Sequence, residues 1–292
     1  MIANQIRNRQ LLRLTISGLI ICFMSLVARA GDVVKYNNSA DPNGDYALAM
    51  IKLAFAHIDH KYSLESIAGD YTQVRLVEDL KSGVLDVIWT ADNEEIENVI
   101  EPIRIPIYKG LIGHRLLIIR KGDQARFDQI KTLDELRKVP MGQGATWADT
   151  KILEANGFHV VKTLKYQGLF HMLDGERFDA FPRGASEPFG EVEKHPDLGL
   201  VVEKHLMLVY KMPFYLFVSK DNKQLAKDLD LGLNRAIADG SFDKVFYAAP
   251  NVQEAIQKGD LKNRLIFNLQ NPTLSKETPV DRAELWIDPK TL

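Results

Sequence analysis

The chain has 292 residues, of which 46% are hydrophobic and 26% charged, and a formal net charge of −2. This length is enough for one large domain or for two lobes, with an ample core in either case. The mildly acidic balance gives no attraction to nucleic acid or to anionic membranes, so we expect neither as a partner.

The first thirty residues differ in kind from the rest. Arg7, Arg9 and Arg13 form a basic start, residues 14–27 are uncharged, and small residues lead to Ala30. This is the layout of a secretory signal peptide. The uncharged stretch is shorter than the roughly 18 apolar residues that a membrane span needs. We therefore predict cleavage after Ala30 and a periplasmic protein.

The single cysteine, Cys22, lies inside that apolar stretch. Bulky Ile20 and Ile21 precede it where a lipid attachment site needs small residues. A mature chain that begins at Gly31 then has no cysteine, which excludes disulfides, thiolate metal sites and a cysteine nucleophile. Because the removed segment holds four arginines and no acid, the net charge of the mature chain is −6.

The first half of the mature chain alternates between strands and helices. We predict strands at residues 33–36, 62–67 and 84–89, the last a buried parallel strand. A helix from about Asp45 carries apolar residues at helical spacing, and Asp70 is the predicted cap of the next helix. Such alternation predicts an α/β fold with mixed sheets flanked by helices.

The alternation resumes after an apolar strand at residues 116–119. Thr132 with Glu135 predicts a capping box, and Thr146 with Asp149 predicts the cap of a helix that ends at Gly157. Residues 224–239 form an amphipathic helix, and the chain beyond Asn271 is expected to wrap a surface. Further strands are predicted at 141–144, 158–161, 178–181, 200–202 and 214–218.

Several stretches together resemble family-three solute-binding proteins, the extracellular receptors best known from amino-acid uptake. The resemblance runs from about Asp70 to Tyr247. The stretches that carry it are residues 80–86, Pro106-Ile107-Tyr108, residues 131–136 with 142–146, Gly175 to Ala180, and Ala238 to Phe242.

The resemblance implies a type II periplasmic-binding-protein fold with two lobes and a ligand cleft between them. The implied first lobe comprises residues 31–119 and 216–292, and the second comprises residues 120–215. In open α/β sheets, polar groups at strand ends and helix starts line such clefts.

The sequence also departs from the amino-acid receptors of this family. They carry an arginine that grips the ligand carboxylate, whereas Glu97 or a neighbour stands at that position. The aspartate expected after Asp179-Ala180, which would hold an ammonium group, is also missing. We therefore expect a small polar, anionic ligand in place of a standard amino acid.

Arg183 and Thr146 are the predicted anion-binding residues. Arg183 follows a strand, where a guanidinium can form a bidentate contact with a carboxylate. Its alternative role is a surface ion pair with Glu187. Thr146 precedes a helix whose unpaired N–H groups suit an anion, although capping alone explains it.

Aromatic residues complete the predicted site. Trp147 and Trp89 would cover an apolar part of the ligand, with core packing as the alternative. Thr90 and Tyr36 lie at or beside strand ends. Arg104 would replace the missing arginine, or else pair with Glu101.

No cofactor or metal site is predicted. His57 and His60 are the only metal-like pair and have no third ligand nearby. Residues 142–144 lack the third glycine of a dinucleotide site. Residues 184–188 do not match a nucleophile elbow.

We therefore expect a monomeric solute-binding protein that serves an inner-membrane permease and is not an enzyme. Two alternatives remain. One is a dehydratase-like enzyme on the same fold, for which Glu187 and Asp149 are the only candidate acids. The other is an accessory to a membrane sensor.

Overall fold

The computed structural model describes residues 31–37, 43–69 and 72–291. The predicted signal peptide and the predicted cap Asp70 lie outside these residues. Within them, no helix is long and apolar enough to cross a membrane.

Helices and strands alternate as predicted, but the strands predicted from residues 84, 158 and 178 begin at Val87, Val160 and Phe181. Arg183 therefore lies within a strand and does not follow one. The strands are β1 (Asp32–Asn37), β2 (Tyr62–Ile67), β3 (Val87–Ala91), β4 (Glu101–Ile103), β5 (His114–Arg120), β6 (Met141–Gly144), β7 (Val160–Thr163), β8 (Phe181–Gly184), β9 (Leu200–Val202), β10 (Leu206–Val209), β11 (Phe214–Val218) and β12 (Leu265–Asn268). The helices are α1 (Gly44–Ala56), α2 (Gln73–Lys81), α3 (Glu94–Glu97), α4 (Gln124–Phe127), α5 (Leu133–Arg137), α6 (Ala148–Ala155), α7 (Tyr166–Asp174), α8 (Pro188–Glu193), α9 (Lys223–Ala238), α10 (Ser241–Ala248) and α11 (Pro250–Gly259).

The first sheet has the strand order β2-β1-β3-β11-β4. Strand β1 is parallel to β2 and β3, and β11 is antiparallel to β3 and β4. Residues Val87 to Thr90 of β3 are all buried, as expected for a strand covered on both faces.

Helices α1 and α9 cover one face of this sheet. The apolar stripe of α9 buries Leu225, Leu229 and Leu233, which confirms the predicted amphipathic helix. Gly232 lies so close to α1 that a Cβ atom there would be 2.2 Å from the Ala54 carbonyl oxygen. Only glycine allows the two helices to approach this closely.

The second sheet has the order β12-β10-β5-β8, with β9 paired to β5. Strand β5, at the end of the first lobe in the sequence analysis, is hydrogen-bonded to β8, β9 and β10. Strand β12 is parallel to β10. Both β5 and β12 therefore belong to the second sheet, although the expected first lobe included both of them.

Two helix starts test the capping predictions. Thr132 and Glu135 form the predicted capping box of α5. The prediction for α6 was wrong. Its N-cap is Trp147, which makes no side-chain cap hydrogen bond, and Thr146 is exposed one residue before it. The Thr150 hydroxyl donates instead to the Gly144 carbonyl, at 2.7 Å.

Candidate functional site

A cavity of about 710 Å³ lies between the two sheets. From the first sheet it is lined by the ends of β1 and β3, the start of β11, and α2. From the second sheet it is lined by β5, β8 and the starts of α6 and α7. Strand ends and helix starts thus meet at one place, as expected for the binding crevice of an α/β protein.

Most of the predicted site residues line this cavity. They are Arg183, Thr146, Trp147, Trp89 and Thr90. Thr90 accepts a hydrogen bond from Gln73 of α2 at 2.8 Å, which ties the end of β3 to another lining element.

Tyr36 and Arg104 are not among the lining residues. Tyr36 packs beside Trp89, with ring centroids 6.4 Å apart, so it supports a lining residue from behind. Arg104 is bound to Glu97 at 2.6 and 2.9 Å and to Glu277 at 2.6 Å. Its observed partners are not the expected Glu101 but Glu97 on α3 and Glu277, which the chain beyond residue 271 brings back to this sheet.

Arg183 is held by carboxylates. Its Nε and Nη2 donate to Glu191 at 2.7–3.0 Å, and Nη2 also lies 3.0 Å from Glu187 Oε1. The side chain is buried, and no described residue forms a hydrogen bond with Nη1. The predicted ion pair with Glu187 is present, but it is buried and not at the surface.

Aromatic rings surround this guanidinium. The ring centroids of Trp147, Phe181 and Tyr166 lie 4.9, 5.2 and 5.6 Å from the Arg183 guanidinium carbon. Cation–π contacts stabilise the charge of a guanidinium group that burial has separated from its hydration water. Arg183 therefore forms part of a rigid cavity wall.

A glycine allows Trp147 to take this position. A Cβ atom on Gly144 would lie 2.4 Å from the indole, so any other residue would displace the ring. Gly142 is likewise covered by the Phe178 ring, 2.1 Å from where a Cβ would be. Gly142 and Gly144 thus leave room for the rings of Phe178 and Trp147.

A second buried arginine, Arg115, lies at the start of β5 and was not predicted from the sequence. Its Nη2 lies 3.2 Å from Asp149 Oδ1, and its Nη1 donates to the Ile112 carbonyl at 2.9 Å. Tyr210 also donates to Asp149 Oδ1. The only local signal was a basic residue directly before the apolar run 116–119, and its acidic partner Asp149 is distant in sequence.

Asp149 has an oxygen available at the cavity. Arg115 and Tyr210 both bind Oδ1, and no described residue donates to Oδ2. Asp149 lines the cavity and lies in the first turn of α6. It therefore offers a negatively charged acceptor to a ligand.

Glu187 remains ionised in this environment. Burial raises its pKa, but Arg183 and Arg115 outweigh burial, and the net shift is downward. Glu187 also accepts hydrogen bonds from Asn43 at 3.2 Å and from the Gly184 amide at 2.7 Å. A lowered pKa makes Glu187 a poor general acid.

These contacts overturn the reason for expecting an anionic ligand. That expectation needed Arg183 without acidic partners, yet two guanidinium groups face three carboxylates here. The carboxylates are those of Asp149, Glu187 and Glu191, and the last of these also accepts from Tyr166 at 2.5 Å. These five buried groups carry one more negative charge than positive, but Glu191 is not among the residues that line the cavity. Lys165 is exposed and also lines the cavity.

The histidine pair His57 and His60 makes other contacts. His57 binds the Leu53 carbonyl and Asp239, and His60 binds Asp32. Among the described residues, no group of three or more histidine, cysteine or acidic side chains is arranged to hold a metal ion.

Comparison with known proteins gives similarity in structure and not in sequence. No protein-family model matches the chain, and no curated protein sequence is similar to it. Solved structures of amino-acid ABC-transporter binding proteins do match.

Three of these structures illustrate the match. The probable amino-acid ABC transporter extracellular-binding protein YtmK from Bacillus subtilis has a TM-score of 0.59 at 14% identity and covers 76% of this chain and 99% of its own. The substrate-binding protein AbpA from Streptococcus pneumoniae, bound to L-arginine, has a TM-score of 0.55 at 17% identity and covers 79% and 98%. An ancestral arginine-binding protein bound to glutamine has a TM-score of 0.55 at 19% identity and covers 74% and 96%.

At these identities the likeness is one of fold. The type II periplasmic-binding-protein fold predicted from the sequence is confirmed, and the structural neighbours of this chain are amino-acid substrate-binding proteins of ABC transporters.

Proposed function

We propose that this protein is an extracytoplasmic solute-binding protein that closes on a small polar solute and presents it to an inner-membrane permease. The observation that carries the proposal is the cavity between two sheets of a binding-protein fold. The neighbours are binding proteins and not enzymes. The lowered pKa of Glu187 also counts against the dehydratase-like alternative.

We also propose two lobes, one built on the first sheet and the other on the second sheet together with the two-stranded sheet β6-β7. We place crossings between β4 and β5 and between β10 and β11. The C-terminal chain crosses twice more, because β12 pairs in the second sheet and the chain beyond it returns to the first. The crossing before β5 replaces the expected boundary at residue 119, because β5 pairs within the second sheet. Short segments between rigid sheets suit a hinge.

We propose that the ligand places a cationic or donor-rich group against Asp149. The five buried groups include one carboxylate more than the guanidinium groups can balance, and unpaired charge is costly in a buried setting. Asp149 is one of the two carboxylates among them that line the cavity. Trp89 and Trp147 supply apolar surface nearby. Structural neighbours bound to arginine or glutamine agree with such a ligand.

Thermal unfolding in the presence of candidate solutes tests this function. A ligand that binds the folded state raises the melting temperature. We expect L-arginine or L-glutamine to raise it and succinate, an anion without an amino group, to leave it unchanged. Stabilisation by succinate alone would refute the proposed ligand chemistry.

A variant pair localises the binding. Asp149→Asn removes the charge at the cavity, and we expect at least a tenfold loss of affinity, about 1.4 kcal/mol. Glu154→Gln on the same helix is the control, because Glu154 pairs with exposed Lys162 and does not line the cavity. Equal affinities in both variants would show that Asp149 does not contact the ligand.

A further inference from the structure

A buried carboxyl group and a partly buried one lie together outside the cavity. Asp92 follows β3 and is 1% exposed, and Glu97 is on α3. Both oxygens of the Asp92 carboxylate are buried and no described side chain donates to them, while the backbone of Asn93 favours the charged form only weakly. The two carboxyl groups are nevertheless within hydrogen-bonding reach of each other. Two carboxylates only accept, so this contact requires a proton on one of them.

The proton belongs to Asp92. Burial, followed by the contact with Glu97, raises the pKa of Asp92 to about 8. Burial also acts on Glu97, but hydrogen bonds led by that from Arg104 outweigh it and lower the pKa of Glu97. Asp92 is thus the donor and Glu97 the anion of the pair at neutral pH.

The same pair holds part of the C-terminal chain, residues 271–280, which we call the strap. Ser275 Oγ donates to Glu97 Oε2 at 2.8 Å. Glu277 of the strap binds Arg104 at 2.6 Å. Buried Thr278 lies beside the hydroxyl of Tyr215 on β11. Both carboxyl groups and Arg104 therefore form the docking site of the strap on the first sheet.

The other end of the strap belongs to the second sheet. Strand β12 pairs with β10, and just beyond it the Leu269 amide donates to Val209 at 2.8 Å. Asn271 donates to the Lys211 carbonyl at 2.9 Å. The strap thus runs from one sheet to the other, next to the segment that connects β10 to β11.

We propose that the proton shared by Asp92 and Glu97 latches the strap onto the first sheet, and that alkaline medium releases it. With the proton present, Glu97 and Glu277 are two anions facing one cation, Arg104. Loss of the proton makes three anions, two of them in contact. Repulsion then pushes Glu97 away from Asp92 and loosens its bond with Ser275.

The charge balance at the latch rests on few groups. The titratable and hydroxyl groups that face Asp92 come from α3, β11, the residue after β4, and the strap. They are Glu97, Tyr215, Arg104, Ser275, Glu277 and Thr278. Arg104 is the only cation among these described neighbours, and it already serves both Glu97 and Glu277.

The sign of the effect on stability follows from linkage. The unfolded chain releases the Asp92 proton near its ordinary pKa of about 4, whereas the folded chain keeps it up to about 8. The stabilising effect of this proton is complete below the unfolded value. It declines as the pH rises and is lost once the pH passes the folded value.

A spin label on the strap reports its release. Lys276 is exposed, and Cys22 is the only native cysteine, so Lys276→Cys in a Cys22→Ser background gives one labelling site. We expect an immobile label in neutral buffer and a mobile one in alkaline buffer, with a midpoint near pH 8. Asp59→Asn, an exposed and distant change, should leave this midpoint in place.

Two variants decide the mechanism. Asp92→Asn keeps an amide N–H donor to Glu97 but has no proton that titrates, so the label should stay immobile in both neutral and alkaline buffer. If that variant does not fold, Glu97→Gln serves: it removes the anion next to Asp92 and leaves Asp92 and Glu277 beside Arg104, so the midpoint should move below pH 8. A label whose mobility is independent of pH in the parent would overturn the proposal. An unshifted transition in the variants would do the same.

Discussion

Arg183 and Glu191 form a bidentate ion pair inside the protein. Nε lies 2.9 Å from Oε2 and Nη2 lies 2.7 Å from Oε1, while the two residues are only 5% and 2% exposed. The pair joins β8 to α8 and fixes the guanidinium against the cavity wall. Because both side chains are buried, removal of either one would leave an unpaired charge inside the protein.

Replacing Arg183 should therefore destabilise the fold. Arg183→Ala leaves Glu187 and Glu191 buried without their cation, and we expect a loss of about 3–5 kcal/mol in the free energy of unfolding. Urea unfolding measures it. Arg282→Ala is the control, since the ion pair of Arg282 with Glu284 is exposed and should contribute little. Unchanged stability together with lost solute binding would instead identify Arg183 as a ligand contact.

Gly144→Ala should displace the indole of Trp147. The added methyl would lie 2.4 Å from the ring, and overpacking of this kind costs about 1–3 kcal/mol. We expect a lower melting temperature and a changed tryptophan emission. Gly190→Ala provides the comparison, because a Cβ atom there would have no neighbour within 4 Å. Equal melting temperatures in both variants would contradict this account of the glycine.

His114 should make the protein sensitive to acid. Burial lowers its pKa from 6.5 to about 4, so between these values the unfolded chain takes up a proton that the folded chain refuses. The stability contributed by neutral His114 is complete above pH 6.5 and is lost as the pH falls through this interval. The slope is at most about 1.4 kcal/mol per pH unit.

Urea unfolding at several pH values checks this effect. His114→Gln cannot take up the proton, so its stability should fall less steeply with acidification than that of the parent. His159→Gln alters an exposed histidine and should keep the parent slope. Identical slopes for all three proteins would show that another group causes the acid sensitivity.

Local sequence patterns predicted the secondary structure well. The amphipathic stripe of α9 and the capping box at Thr132 depend on residues three or four positions apart, whose geometry a helix fixes by itself. The start of α6 was predicted less well. Its first residues are placed by Trp147 folding back over Gly144, and spacing along the chain does not reveal that contact.

The sequence by itself determined the α/β alternation and the fold, and it named five residues that line the cavity: Arg183, Thr146, Trp147, Trp89 and Thr90. Only the tertiary structure decided which residues contact these five side chains. The bond from Tyr210 to Asp149 and that from Ser275 to Glu97 each join residues at least 61 positions apart. Whether a buried arginine meets a ligand or a carboxylate depends on which strands lie side by side, and that is set by pairing and packing of the whole chain.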